Sequence, residues 1–258
     1  MNKIEELYDT YDEENRLLRS REAKIESETT IKYLSPYVKK TTSILEVGCG
    51  TGYYAFFFKD KFKNYTGIDL SKRNVKVFQK AIKDTQSENI VAKVGNALKL
   101  EEESNKYDLV LNLGPLYHLG GENGKKCIEE SIRVCKKGGI VAFSYMNKFG
   151  NFVKLCAQEN FIGRYPDRKL FKNMLQKNTD DDGIFFFTTP EEIEGKLKSA
   201  GLEIVKHLST DGVVMHHHRI SDYNEAEFQI WKEFHFLTCE EPSIRGLGDH
   251  GLVICKKK

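Results

Sequence analysis

The sequence predicts a doubly wound α/β fold, a mainly parallel sheet carrying helical lid insertions. Three observations predict it. From residue 43 onward, short apolar runs alternate with amphipathic helical segments for about a hundred residues. The runs are aliphatic or β-branched throughout, as in strands covered on both faces. The first run passes directly into the glycine-rich stretch Glu46-Val47-Gly48-Cys49-Gly50-Thr51-Gly52, the kind of turn that lets a ligand approach bare backbone at the end of a strand.

The elements follow in order. The first forty residues read as helix, with Ile4, Leu7, Tyr8 and Tyr11 on one face and Ile31, Leu34 and Val38 on another. Strands are expected at 43–47, 65–69, 90–94, 108–112 and 139–144. Between them, residues 53–60 are helical, and Val75, Phe78 and Ile82 form one helical stripe. Residues 125–137 form another helix, stopped by Gly138 and Gly139. After Asn147 the rhythm breaks, and 148–183 reads as a helical insertion above the sheet edge. Order returns at Thr189, an N-cap followed by Pro190 at N1 and Glu192 at N3, which together make a capping box. Gly201 ends that helix and 202–208 is a strand. A second insertion, 211–248, contains His216, His217 and His218 and an aromatic helix with Phe228, Trp231 and Phe234. The last strand is 251–255. The whole, 1–258, reads as one domain. It has a helical cap at 1–40, a core at 41–147, lid insertions at 148–183 and 211–248, and the rest of the sheet at 184–210 and 249–258.

Composition narrows the function. Forty Lys and Arg against thirty-eight Asp and Glu leave a net charge of +2, which argues against a nucleic-acid-coating protein. No apolar run approaches the roughly 20 residues needed to span a bilayer. The polar, acidic start MNKIEELYDTYDEENR is unlike a signal peptide. Six scattered cysteines without a C-x-x-C pair fit buried thiols in a reducing cytoplasm. Three adjacent histidines cannot all meet one ion from an extended chain, so no metal site is assigned to them.

Asp69 ends the second strand, nineteen residues beyond Gly50, where a carboxylate can accept both hydroxyls of a ribose. An adenosine-containing ligand is the first inference. Gly50, Gly52 and Ala55 also satisfy the dinucleotide spacing G-x-G-x-x-A, so the loop alone leaves NAD open. Glu46 tilts the balance, because a carboxylate aimed into the loop suits a cationic amino-acid ligand and repels a pyrophosphate.

With these residues, ILEVGCGTG resembles motif I of the class I S-adenosylmethionine (SAM) dependent methyltransferases. Ile68-Asp69-Leu70 resembles the family's ribose motif and Gly95-Asn96-Ala97 its adenine motif. Tyr107-Asp108-Leu109-Val110 resembles its fourth strand, and Cys135-Lys136-Lys137-Gly138-Gly139 the turn before its fifth. Asp249-His250-Gly251-Leu252-Val253 resembles its last, reversed strand. The resemblance covers 41–147 well and 184–258 loosely. It implies a Rossmann-like, seven-stranded, mainly parallel sheet whose last strand is antiparallel.

It also implies site roles. Gly48, Gly50 and Gly52 back the methionine part of SAM, and Glu46 lies near its ammonium. Asp69 takes the ribose and Leu70 packs on adenine. Asn96 and Ala97 hold the adenine edge, although Asn96 stands where the family commonly has Asp and is open to reading as a turn residue. Asn112, closing strand four, is placed beside the cofactor. By fold analogy the first helices close over SAM, with Tyr8, Tyr11, Arg16 and Arg19 as the residues able to touch it.

Methyl transfer needs alignment and exclusion of water, and a base only where the nucleophile must lose a proton. After strand four the chain reads GPLYHL, which resembles bacterial small-molecule methyltransferases. His118 is a general base or a positioning histidine. Tyr117 lines the pocket, shields the sulfonium or packs in the core. The leading expectation is a cytoplasmic SAM-dependent methyltransferase with a small-molecule acceptor and no membrane or nucleic-acid partner. The alternatives are an RNA or protein methyltransferase and a non-catalytic SAM- or nucleotide-binding protein.

Overall fold

The structure is a computed structural model and describes residues 3–157, 168–213 and 220–258. Strand β1 (Ser43–Val47) sits inside the sheet, with Ile44, Leu45 and Val47 apolar and every residue from Ile44 on buried. It pairs in parallel with β2 (Asn64–Asp69) on one side and β4 (Tyr107–Asn112) on the other. β3 (Ile90–Val94) extends the β2 side, and β5 (Cys135–Asn147) extends the β4 side. β6 (Phe187–Thr188) adds two residues beside the end of β5. β7 (Leu202–Ser209) and β8 (His250–Lys257) complete the order β3-β2-β1-β4-β5-β8-β7. β8 is antiparallel to both β5 and β7, as the expected reversal requires. The direction of travel reverses between β1 and β4, so their carboxyl ends open a crevice.

Alternation along the strands feeds two cores. Ile44, Leu109, Leu111, Ala142, Leu252 and Ile254 face α2 (Arg21–Leu34), α3 (Tyr53–Phe57) and α4 (Lys72–Asp84), meeting Leu34, Tyr54 and Phe78. Leu45, Val110, Val141, Phe143 and Val253 face α5 (Gly121–Val134) and α8 (Pro190–Ser199), meeting Ile128, Ile193 and Leu197. Each fully buried aliphatic or Phe side chain contributes about 1.5–3 kcal/mol. The capping box at Thr189 forms as expected, with its hydroxyl accepting from Glu192 N.

Two boundaries differ from expectation. Helix α5 ends at Val134, and Cys135 already pairs with Tyr107 of β4. The register then jumps to Leu109 and Ile140, so residues 136–139 bulge out with Gly138 at φ +74°. Lys136 is held there by Asp108 Oδ1 at 2.6 Å, and strand pairing takes the residues that helical pattern alone would extend into the helix. Helix α3 stops at Phe57, and Asp60 follows in a left-handed turn at φ +66°.

The N-terminal segment forms α1 (Lys3–Thr10), a turn, and α2. The first insertion carries α6 (Lys148–Ala157), α7 (Arg168–Phe171) and a π turn at Lys172–Gln176. The second carries α9 (Glu225–Thr238) and α10 (Pro242–Arg245). They leave the carboxyl ends of β5 and β7. They meet where Asn147 Nδ2 donates to Arg245 O and Gly248 O at 3.2 and 2.9 Å. α9 docks on α2 through Ile25, Ile220 and Phe228 and a 2.8 Å bond between Thr29 and His235. The aromatic helix therefore divides, with Phe228 buried and Phe234 42% exposed. His216, His217 and His218 lie outside the described residues. Among the described residues, no helix is long and apolar enough to cross a membrane.

Candidate functional site

The loops after β1 and β4 and the N-terminal segment enclose a cavity at the crevice. Gly48 N and Cys49 N both donate to Ile68 O, at 2.7 and 3.1 Å, which folds the glycine loop back over β2. Gly48 has φ +75°, and a Cβ there would lie 2.5 Å from Pro115. Gly52 has φ +92°, and its Cβ would strike Phe78 at 2.3 Å. Gly48 thus brings the loop against the turn after β4, and Gly52 seats it on α4. Gly52 faces the core and does not line the cavity.

Glu46, Gly48, Gly50, Asp69, Leu70, Asn96, Ala97, Tyr117 and His118 all line the cavity. Glu46 is 2% exposed and accepts from Tyr65 Oη at 2.5 Å. Burial pushes its carboxyl up to about 8, against the opposing Tyr65 bond. Asp69 accepts from Gly50 N through Oδ2 and from Ser71 N through Oδ1, each at 2.8 Å. Burial raises it from the ordinary value, while those bonds pull it down. The Asn74 side chain also donates to it, so about one of its roughly four lone-pair sites stays available. Asn96 Oδ1 accepts from Leu98 N at 2.9 Å, the geometry of a turn residue, while the residue still borders the cavity.

His118 occupies a 3₁₀ turn, Pro115–His118, and is 7% exposed. Its Nδ1 is 3.0 Å from Ile184 O and its Nε2 is 2.8 Å from Tyr8 Oη. A carbonyl only accepts, so Nδ1 carries the proton and the Nε2 lone pair takes the Tyr8 hydroxyl. Burial lowers the His118 pKa, and the imidazole is neutral at pH 7. Burial, with Tyr117 and Glu13 nearby, raises Tyr8 well above the ordinary phenol value. Tyr117 packs beside His118 at 4.8 Å between ring centres, and burial pushes it up to about 12.

Besides Gly52, three expected residues lie elsewhere. Asn112 shares a strand face with Val110, so its side chain enters the α5 core and not the cavity. Its Nδ2 donates to Ser131 Oγ at 3.0 Å and Cys127 Sγ at 3.1 Å. Tyr11 lies just past the end of α1 and outside the lining; its ring packs against Tyr8 at 6.1 Å and its carbonyl accepts from Arg73. Arg19 stacks on Tyr11 and is likewise outside.

The sequence reading missed Glu13. A Cβ on Gly50 would lie 3.2 Å from its Oε1, so Glu13 leans directly over the loop. Arg16 lies beside it, the single Lys or Arg among the described residues lining the cavity. With Tyr8 and Glu13 folded in, about 140 Å³ remains open, less than the roughly 300–1,000 Å³ of typical small-molecule sites. The donor set fits SAM in kind. It offers a carboxylate for an ammonium, a guanidinium for a carboxylate, a carboxylate for a ribose, and loop glycines whose side chains would otherwise fill the space.

Comparison with known proteins agrees. Residues 44–139 match a family model described as a methyltransferase domain. An uncharacterised protein of Methanocaldococcus jannaschii is 25% identical over 81% of this chain and 83% of its own length. The demethylmenaquinone methyltransferase of Bacillus subtilis is 24% identical over 83% of this chain and 93% of its own. A Thermotoga maritima structure, described as a SAM-dependent methyltransferase and possible histamine N-methyltransferase, superposes with a TM-score of 0.60 at 20% identity. That superposition covers 100% of both chains. These matches support a class I SAM-dependent methyltransferase family for the chain, and that family implies SAM as the cofactor.

Proposed function

We propose that the protein methylates a small-molecule acceptor and that the Tyr8–His118 pair handles its proton. The observation that carries this reading is the 2.8 Å bond between Tyr8 and a neutral, buried His118 at the wall of the cofactor cavity. When bound, SAM supplies an electrophilic methyl on a sulfonium. Glu46 takes its ammonium, Arg16 its carboxylate and Asp69 its ribose hydroxyls. Leu70, Asn96 and Ala97 border the adenine.

The His118 lone pair is already used, so an acceptor proton reaches it through Tyr8. The acceptor's proton goes to Tyr8 Oη as the Tyr8 proton moves to Nε2. The imidazolium so formed keeps its Nδ1 bond to Ile184 O and is favoured by Asp180. Buried His118 and half-buried Tyr8 and Tyr117 limit the competition of bulk water as the acceptor. A partly covered cavity of this size supports a small acceptor over a polymer. The Bacillus subtilis relative, whose acceptor is demethylmenaquinone, supports the same reading. The test is calorimetry with SAM, S-adenosylhomocysteine and NAD, followed by a product screen over small phenols, thiols and amines. The expected result is binding of the first two and turnover of a small acceptor. NAD binding tighter than SAM, or turnover confined to RNA or protein, would refute the reading.

A further inference from the structure

Behind the cavity runs a row of charged groups drawn from separate parts of the chain. Arg16 Nη1 donates to both oxygens of Glu26 on α2, at 3.0 and 3.3 Å, and Nε donates to Glu13 at 3.4 Å. Glu26 Oε2 lies 4.0 Å from Nδ1 of His250, the first residue of β8. That Nδ1 donates to Asp211 Oδ2, past the end of β7, at 3.0 Å. The neighbouring Asp249 is paired with Lys154 of α6. Asp211 and Asp249 are 2% and 0% exposed.

Desolvating such groups costs several kcal/mol per ion unless opposite signs alternate. Here they alternate from Glu13 through Arg16, Glu26 and His250 to Asp211 only while His250 is protonated. Both carboxylates face Nδ1, whose one N–H goes to Asp211, so a neutral imidazole would leave Glu26 beside it with no positive charge to hold it. Burial opposes the charge on His250, but Glu26, Asp211 and Asp249 outweigh it, and its pKa is raised. Lys154 and Arg16 are the nearby cations, and each already faces its own carboxylate.

We propose that His250 is a positioning residue for the cofactor: by holding Glu26 it fixes the Arg16 guanidinium at the cavity wall, where Arg16 takes the methionine carboxylate. The proposal rests on the reading of Arg16 given above. His250 touches no ligand and acts only through Glu26. Protonated His250 strengthens binding at low pH, and that gain disappears as pH rises through its raised pKa.

The test is calorimetric titration of S-adenosylhomocysteine into wild type, R16A, H250Q and E26Q from pH 6 to pH 9. The wild-type to H250Q affinity ratio should be about five- to tenfold at pH 6, the lower range of measured couplings between sites, and should close toward one by pH 9. Taking the ratio cancels every other titrating group, Glu46 included. E26Q should bind weakly and lose the same pH dependence, which keeps the test open if H250Q does not fold. An R16A loss beside an unchanged H250Q would overturn the proposal while leaving the Arg16 reading intact. A pH-independent H250Q loss would show a structural role and also overturn it. Unchanged affinity in R16A would remove the reading of Arg16 and the proposal with it.

Discussion

Binding of SAM should eject a proton from Glu46. The carboxyl has a pKa of about 8 in its buried site, so roughly nine in ten molecules hold it protonated at pH 7. A ligand ammonium needs the ionised form. Ionising the carboxyl costs about 1.4 kcal/mol at pH 7 and about 2.7 kcal/mol at pH 6, because a raised carboxyl pKa penalises the anion below it. Apparent affinity should therefore rise about ninefold from pH 6 to pH 7, with close to one proton released per SAM bound. The window stays below the titration of the ligand's own amino group, at about 7.7–8.0. Calorimetry at pH 7 in buffers of different ionisation enthalpy counts the protons directly. The E46Q variant should bind more weakly and release none, so the difference between the two proteins isolates Glu46 from His250. Equal proton release from wild type and E46Q would refute the pairing of Glu46 with the ammonium.

Four further outcomes are expected. H118A should lower kcat by about 10²–10⁴ while SAM affinity stays nearly intact, and Y8F should follow it, because the proton path needs both. The acid limb of the wild-type pH–rate profile should fall below the ordinary histidine value, since burial lowers His118; a limb at or above pH 6.5 would contradict that. G52A should destabilise the fold by about 1–3 kcal/mol or more, since its Cβ meets Phe78 at 2.3 Å on a left-handed backbone; an unchanged urea midpoint would contradict it. T189A should cost about 1 kcal/mol through loss of the capping box, read by the same denaturation.

The strands were legible because short aliphatic runs bounded by Gly, Asp or Asn mark them, and β1 and β3 fall at the residues expected although β3 is exposed on one face. The helix–strand joint at Val134 was not, since apolar spacing continues through Cys135 while the pairing that stops the helix comes from Tyr107, far away in sequence. Asn112 was misdirected although the signal existed: strand alternation puts it with Val110 on the α5 side. Tyr8 and Tyr11 share one apparent helical face. Only the end of α1 at Thr10 separates the residue that reaches His118 from the one that backs it. Glu13, Glu26 and His250 carry no spacing signal at all, because three separate segments bring them together.

The Tyr8 hydroxyl has a kinetic consequence. Helix α1 is both a wall of the cavity and the carrier of the group bonded to His118. On the proposed reading, raising this segment to exchange ligands would also draw the relay hydroxyl away from the imidazole, so ligand exchange and proton transfer would use two positions of one helix. Solvent viscosity and the salt-sensitive grip of Arg73 on the Tyr8 and Tyr11 carbonyls would then set how fast ligands exchange, apart from the transfer step.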